Sequence, residues 1–111
     1  MIEITVKDFM ELYLPVPVFM EYPAKPPARF VVLRKADSGR VNYIDTAMFI
    51  ADSYAETLIE TAKLNEQVVK TLDSLTDLDV ISCSERGGDY NFPDTQNKRY
   101  RYQAVQNITY Y

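Results

Sequence analysis

The stretch RFVVLRKADSGRVNYIDTAMFIADS, residues 29–53, predicts a β-hairpin that decides the fold. Residues Phe30 to Lys35 are mostly β-branched or aromatic, which favours a strand. The segment ADSGR, residues 36–40, predicts the turn, because Gly39 can adopt a positive φ. The return strand is expected from Val41 to about Asp52, and its second half is apolar on both faces. This pattern indicates a central strand that is covered on both sides.

Two helices are expected on either side of the hairpin. The first is TVKDFMELYL, residues 5–14, with Thr5 as its N-cap, and Pro15 ends it because proline cannot donate a backbone hydrogen bond. The second spans residues 53–73, with Ser53 as its N-cap and Glu56 three residues later as a capping box. The predicted apolar positions are Phe9, Leu12 and Tyr13 in the first helix, and Ala55, Leu58, Ile59, Ala62, Val69 and Leu72 in the second.

Between the first helix and the hairpin lies a proline-rich extended segment, VPVFMEYPAKPPA, residues 16–28. A proline inside a strand confines that strand to the edge of a sheet. We therefore expect an edge strand followed by a stiff crossover.

The C-terminal third predicts two more strands. LDVISCSE, residues 78–85, is the fourth strand, and RGGDYNFPDTQNK, residues 86–98, is expected to be a long, mobile loop. In the fifth strand, residues 99–110, tyrosines alternate with arginines, so the two types point to opposite faces. We expect the tyrosine face to pack under the second helix and the arginine face to be exposed. The chain is therefore expected to form one α+β domain, residues 1–111, with the order α-β-β-β-α-β-β and two helices on one face of a mostly antiparallel sheet.

The composition removes several kinds of chemistry. The 111 residues include no histidine and one cysteine, which removes Ser-His catalysis and leaves too few ligands for a structural zinc site. The acidic pairs Asp45 with Asp52 and Asp89 with Asp94 carry no mark of matched catalytic carboxylates. We expect no catalytic residues, no metal, no cofactor and no enzymatic activity.

The net charge of −4 does not fit the basic footprint of a nucleic-acid-binding protein. No apolar run approaches the length of a membrane-spanning helix, and the N-terminal MIEITVKDF lacks the apolar region of a signal peptide. Three interpretations of the tail RYRYQAVQNITYY, residues 99–111, stay open at this point. It is a half-buried strand, a surface for another protein subunit, or a stacking platform for bases.

The order of the segments resembles a known family. It is similar to the small tail terminator, or tail completion, proteins of siphophages and prophages of Gram-positive bacteria, which belong with the lambda-type tail terminators. The resemblance rests on LPVPVFMEYPAKPPARFVVL, ADSYAETLIETAKLNEQVVKTL and YNFPDTQNKRYRYQAVQNITY, and most of all on FPDT followed by KRYRYQA.

The resemblance implies a non-enzymatic subunit of a hexameric ring. Such a ring caps the tail tube, ends tube polymerisation and forms the docking surface for the head-completion or connector proteins. Its partners are other copies of the chain, the major tail tube protein and the connector, and DNA passes through without specific binding. The location implied is the host cytoplasm during assembly, then the head-proximal end of the virion tail. The residues that carry over as subunit or tube contacts are Asp94, Arg99, Tyr100, Arg101 and Tyr102. The alternatives are a head–tail connector, a minor tail component and a small nucleic-acid-binding module.

Overall fold

The predicted hairpin forms the centre of a five-stranded sheet in the computed structural model, which describes residues 1–111. A short 3-10 helix, Ser74–Asp77, follows the second α-helix. The elements in chain order are α1 (Ile2–Tyr13), β1 (Val18–Phe19), β2 (Phe30–Val41), β3 (Ile44–Ala55), α2 (Leu58–Asp73), β4 (Ile81–Asn91) and β5 (Tyr100–Tyr110). The α+β class and the predicted order of helices and strands are confirmed.

The strands are arranged in the order β1-β2-β3-β5-β4. All neighbouring strands are antiparallel except β1, which pairs with β2 in parallel. The proline-flanked β1 is a two-residue edge strand, as the sequence predicts, and Pro17 accepts a hydrogen bond from the Val31 amide through its carbonyl. Strand β3 is central, as the sequence predicts.

Both helices pack on one face of the sheet. On β3 this face carries Ala47, Phe49 and Ala51, all nearly inaccessible to solvent. The main core joins 18 buried residues, which include Ile2, Val6, Phe9 and Met10 of α1, Leu64, Val68 and Leu72 of α2, and Ile81 and Ile108 of β4 and β5. No helix covers the opposite face, which we call the helix-free face.

The predicted turn at residues 36–40 is wrong. Strand β2 continues through this segment with a bulge between Lys35 and Asp37, and Gly39 lies in the strand opposite Thr46. The chain reverses instead at Asn42 and Tyr43, whose φ angles are 50° and 67°. A two-residue turn with two positive φ angles has the twist that an antiparallel hairpin requires.

The predicted helix starts are also wrong. Helix α2 begins after Thr57, whose hydroxyl accepts a hydrogen bond from the Glu60 amide at 3.1 Å, whereas Ser53 is a buried residue of β3. Helix α1 begins at Ile2, and the Thr5 hydroxyl donates to the Met1 carbonyl instead of capping the helix. The apolar face of α1 is consequently formed by Ile2, Val6, Phe9 and Met10, and Leu12 and Tyr13 are exposed.

The segment expected to be a long loop is largely strand. Strand β4 runs to Asn91 and pairs with β5 up to Tyr102, with bulges after Ile81 and Arg86. The remaining turn is closed by two backbone hydrogen bonds of 3.0 Å between Asp94 and Arg99. The expectation of a loop over residues 86–98 is therefore wrong for residues 86–91, and the loop is confined to residues 92–99.

Candidate functional site

Asp94 is the centre of a hydrogen-bonded cluster in the turn between β4 and β5. Its Oδ1 accepts a hydrogen bond from the Asn97 amide at 3.1 Å, and its Oδ2 accepts one from the Asn97 side-chain amide at 2.8 Å. The Tyr54 hydroxyl of β3 donates to the same Oδ2 at 3.2 Å. Asp94 is only 7% exposed, and its bond to Tyr54 ties the turn to the end of the central strand β3.

The environment of Asp94 favours its charged form. Burial alone would raise its pKa, but the hydrogen bonds from Asn97 and Tyr54 and the charge of Arg101 outweigh burial, so the pKa is lowered. A carboxyl group with a lowered native pKa stabilises the fold above its ordinary pKa, and this contribution disappears as the pH falls through the native value. Asp94 therefore acts as an anchor of the turn at neutral pH.

Arg101 is the second centre of the cluster. Its guanidinium donates to the Phe92 carbonyl at 2.7 Å, lies 4.5 Å from the centre of the Phe92 ring and is 3.9 Å from Asp94. A further contact of 3.4 Å reaches the Tyr54 hydroxyl. Only 18% of the Arg101 side chain is exposed, so the expectation of a free arginine face is wrong at this position.

Arg99 is also used within the chain. Its guanidinium donates to the Ala28 carbonyl at 2.8 Å and lies 5.5 Å from the centre of the Phe30 ring. Phe30 in turn stacks on Tyr54, with ring centres 4.6 Å apart and planes 6° apart. The two arginines thus cover a small, mainly aromatic cluster on the helix-free face. It consists of Phe30, Val32 and Tyr54, with Phe19 and Tyr22 at its border.

Tyr100 and Tyr102 lie away from this cluster, on the helix side of β5. Tyr100 is opposite Ala55 and 47% exposed, and Tyr102 is opposite Ser53 and half-buried. The predicted tyrosine face is therefore fully packed only towards the C-terminus, at Ala104, Gln106 and Ile108. Of the five residues that the resemblance marks, Asp94, Arg99 and Arg101 come together, and the two tyrosines do not join them.

The helix-free face has a second buried carboxylate, whose burial the sequence pattern does not indicate. Asp52 of β3 is 7% exposed, and its Oδ1 has no hydrogen-bond partner. Burial raises the pKa of Asp52, and the charges of Arg101 and Arg34 only partly oppose this effect. Burial likewise raises the pKa of Tyr54 to about 12. Residue types alone cannot locate such groups, because their exposure depends on the neighbouring strands.

Replacing Asp52 by asparagine is expected to stabilise the protein by about 1 kcal/mol at pH 7, because it removes a buried charge that is incompletely paired. The raised native pKa means that the penalty develops as the pH rises from the ordinary value and is complete above the native value. Urea unfolding should show the gain at pH 7 and no gain near about pH 3, where both states are protonated. Asp79→Asn is the control, because Asp79 is exposed. A gain that is equal at both pH values, or equal in the control, would contradict this explanation.

The carboxylate pairs suggested by the sequence are separated. Asp45 and Asp52 differ by an odd number of residues along β3 and so lie on opposite faces. Asp89 accepts a hydrogen bond from the Asn65 side chain of α2 at 2.6 Å, on the helix side, whereas Asp94 lies in the turn. The structure contains no cluster of three or more acidic or cysteine side chains that is suited to a metal ion, and neither helix has the length and apolar character to span a bilayer.

The two ends of the molecule carry different exposed apolar groups. The longest dimension is 43 Å and the other two are 24 Å. We call the end at the β2–β3 turn the hairpin end and the end at the β4–β5 turn the opposite end. Exposed apolar residues are Val41, Tyr43, Ile44, Val80 and Tyr111 at the hairpin end, and Leu58, Ile59, Tyr90, Phe92 and Tyr100 at the opposite end. Five further large apolar side chains are exposed outside these two ends, namely Met1, Ile4, Leu12, Tyr13 and Met20. Large exposed apolar patches are typical of surfaces that contact other proteins.

Neither the family models nor the curated proteins include a match to this chain.

Proposed function

We propose that this chain is a phage or prophage assembly protein that forms a ring on the tail tube. The ring ends tube polymerisation and provides the surface on which the head-completion or connector proteins dock. In this proposal the chain is a structural subunit without enzymatic activity or cofactor. It acts in the host cytoplasm during assembly and then remains at the head-proximal end of the tail.

The observation that carries the proposal is the combination of a helix-free sheet face with two unlike apolar ends. A closed ring needs two different surfaces on each subunit, because each copy contacts its neighbour with one surface and is contacted on another. A cap also needs a surface for the tube and a surface for the head. The sequence resemblance supplies the identity of those partners.

The contacts that Arg99 and Arg101 make within the chain favour a protein partner over a nucleic acid. A nucleic-acid surface needs free cations for the phosphates. Arg99 and Arg101 instead hold backbone carbonyls and aromatic rings within the chain, and Asp52 and Asp94 are buried beside them. Passage of DNA through the ring requires no specific contact with its bases. A head–tail connector and a minor tail component are the remaining assembly roles, and they differ from a terminator in the partner that is bound.

The test is to purify the full chain alone and with the major tail tube protein of the same phage, followed by sizing chromatography and negative-stain microscopy. The proposal predicts rings of the chain and their binding to tube ends. Binding to connector protein but not to tubes would support the connector role, and salt-sensitive DNA binding without rings would support the nucleic-acid module.

A further inference from the structure

The side chain of Tyr43 strains the hairpin turn without contributing burial. Its φ is 67°, in the left-handed region that a bulky side chain rarely adopts, and 88% of its surface is exposed. The second position of such a turn is usually glycine, because glycine adopts this conformation without cost. The Arg40 guanidinium lies 5.7 Å from the centre of the Tyr43 aromatic ring. Backbone strain of this kind is concentrated at functional positions in proteins. The strain at Tyr43 therefore favours a contact between this side chain and another molecule.

A groove that suits this side chain lies between α1 and β1. It has a volume of about 710 Å³ and is open to solvent. Proline, aromatic and aliphatic side chains line it, and its charged side chains are Lys7, Glu11 and Glu21. The lining includes Pro17, Phe19, Met20, Tyr22 and Pro23 together with Glu11 and Glu21. Glu11 pairs with Lys7, while Glu21 takes part in no ion pair.

Tyr43, at the tip of the β2–β3 hairpin, and the groove cannot meet within one molecule. Strand β1 pairs with β2 at Val31 and Val32, and the turn lies nine residues further along β2, at Val41. At roughly 3.3 Å per residue this separation is about 30 Å. A contact between them therefore joins two copies, and because it uses two different surfaces it is able to close into a ring.

We propose that Tyr43 of one copy inserts into the α1–β1 groove of the next copy, with Arg40 facing Glu21. The phenol side chain of Tyr43 supplies a rigid, amphipathic anchor of the kind that dominates protein interfaces. Arg40 is free to turn, because its side chain is 63% exposed and its pair with Asp45 spans 3.6 Å at the surface. This inference rests on the proposed function, because it names the contact through which the ring would assemble.

The test compares the full-length chain with Tyr43→Gly by thermal melting and by sedimentation over a concentration series. Glycine relieves the strained turn, so Tyr43→Gly should melt a few degrees higher at concentrations where both proteins are monomeric. It should nevertheless self-associate at least ten times more weakly over the concentration series. A purely structural role would not give these opposite changes. Tyr13→Ala is the control for loss of an exposed tyrosine, since Tyr13 lies on α1 outside the groove, and its association should match the unmodified chain.

A charge exchange tests the pairing itself. Arg40→Glu and Glu21→Arg should each weaken self-association, and the double variant should recover most of the loss. Unchanged association in Tyr43→Gly, or no recovery in the double variant, would overturn the contact between Tyr43 and the groove. If the unmodified chain still forms rings in that case, the proposed function stands. A chain that stays monomeric at every concentration and in the presence of tube protein overturns both.

Discussion

Arg101→Glu is expected to destabilise the fold by about 3–5 kcal/mol, which is a large share of its stability. The substitution deletes the hydrogen bond to the Phe92 carbonyl and the contact with the Phe92 ring. It also places a new negative charge beside Asp94, which is buried. Because small domains are held together by only about 5–15 kcal/mol, the loss should be visible as a large fall in melting temperature.

The matched control is Arg29→Glu, which makes the same charge change at an exposed arginine. Exposed charges contribute about 0–1 kcal/mol, so this variant should melt close to the unmodified protein. Circular dichroism melting of both variants provides the measurement. If Arg101→Glu and Arg29→Glu melt alike, Arg101 is a surface residue and the cluster around Asp94 does not hold the turn.

Phe49→Ala is expected to cost about 3–5 kcal/mol, because it leaves a cavity in the main core. Phe49 is fully buried in the central strand, on the face that both helices cover. Tyr102→Ala is the comparison, because Tyr102 lies on the same face of the sheet but is only half-buried. Its cost should be about 1–2 kcal/mol. Urea unfolding of both variants gives the two values, and a larger loss for Tyr102→Ala would mean that the core is centred under β5 and not under β3.

The sequence predicts the class of fold because the local patterns agree with one another. Alternation along the return strand places Ala47, Phe49 and Ala51 on one face, and Pro17 identifies the edge strand. Both signals depend on sterics and burial within a few residues. They therefore do not need knowledge of distant contacts.

The ends of the helices and strands could not be predicted, because they are decided by pairing between residues that are distant in the chain. Two capping patterns stand four residues apart, Ser53 with Glu56 and Thr57 with Glu60, and local sequence cannot choose between them. The register of β3 with β5 makes the choice, since it places Ser53 opposite Tyr102 inside the sheet. The turn was misplaced for a related reason, because glycine at position 39 suggests a turn more strongly than Asn42 and Tyr43 do.

The sequence predicts the face of β5 on which Arg101 lies, but not the groups that Arg101 contacts. Alternation places Arg101 on the face opposite α2, as expected, yet it cannot reveal that the β4–β5 turn folds over this face. The burial of Asp52 and the pairing of Asp94 with Tyr54 depend on residues about 40 positions apart in the chain. Only the assembled sheet brings these groups together.

The central claim is that this chain forms a ring that caps a tail tube, and the length distribution of tubes tests it most directly. Purified major tail tube protein would be polymerised with and without the full-length chain, and the tubes measured by electron microscopy. The account predicts that the added chain stops further growth and that a ring is visible at one end of each arrested tube. Tubes that grow to the same lengths with the chain present, and that carry no ring at either end, would contradict it.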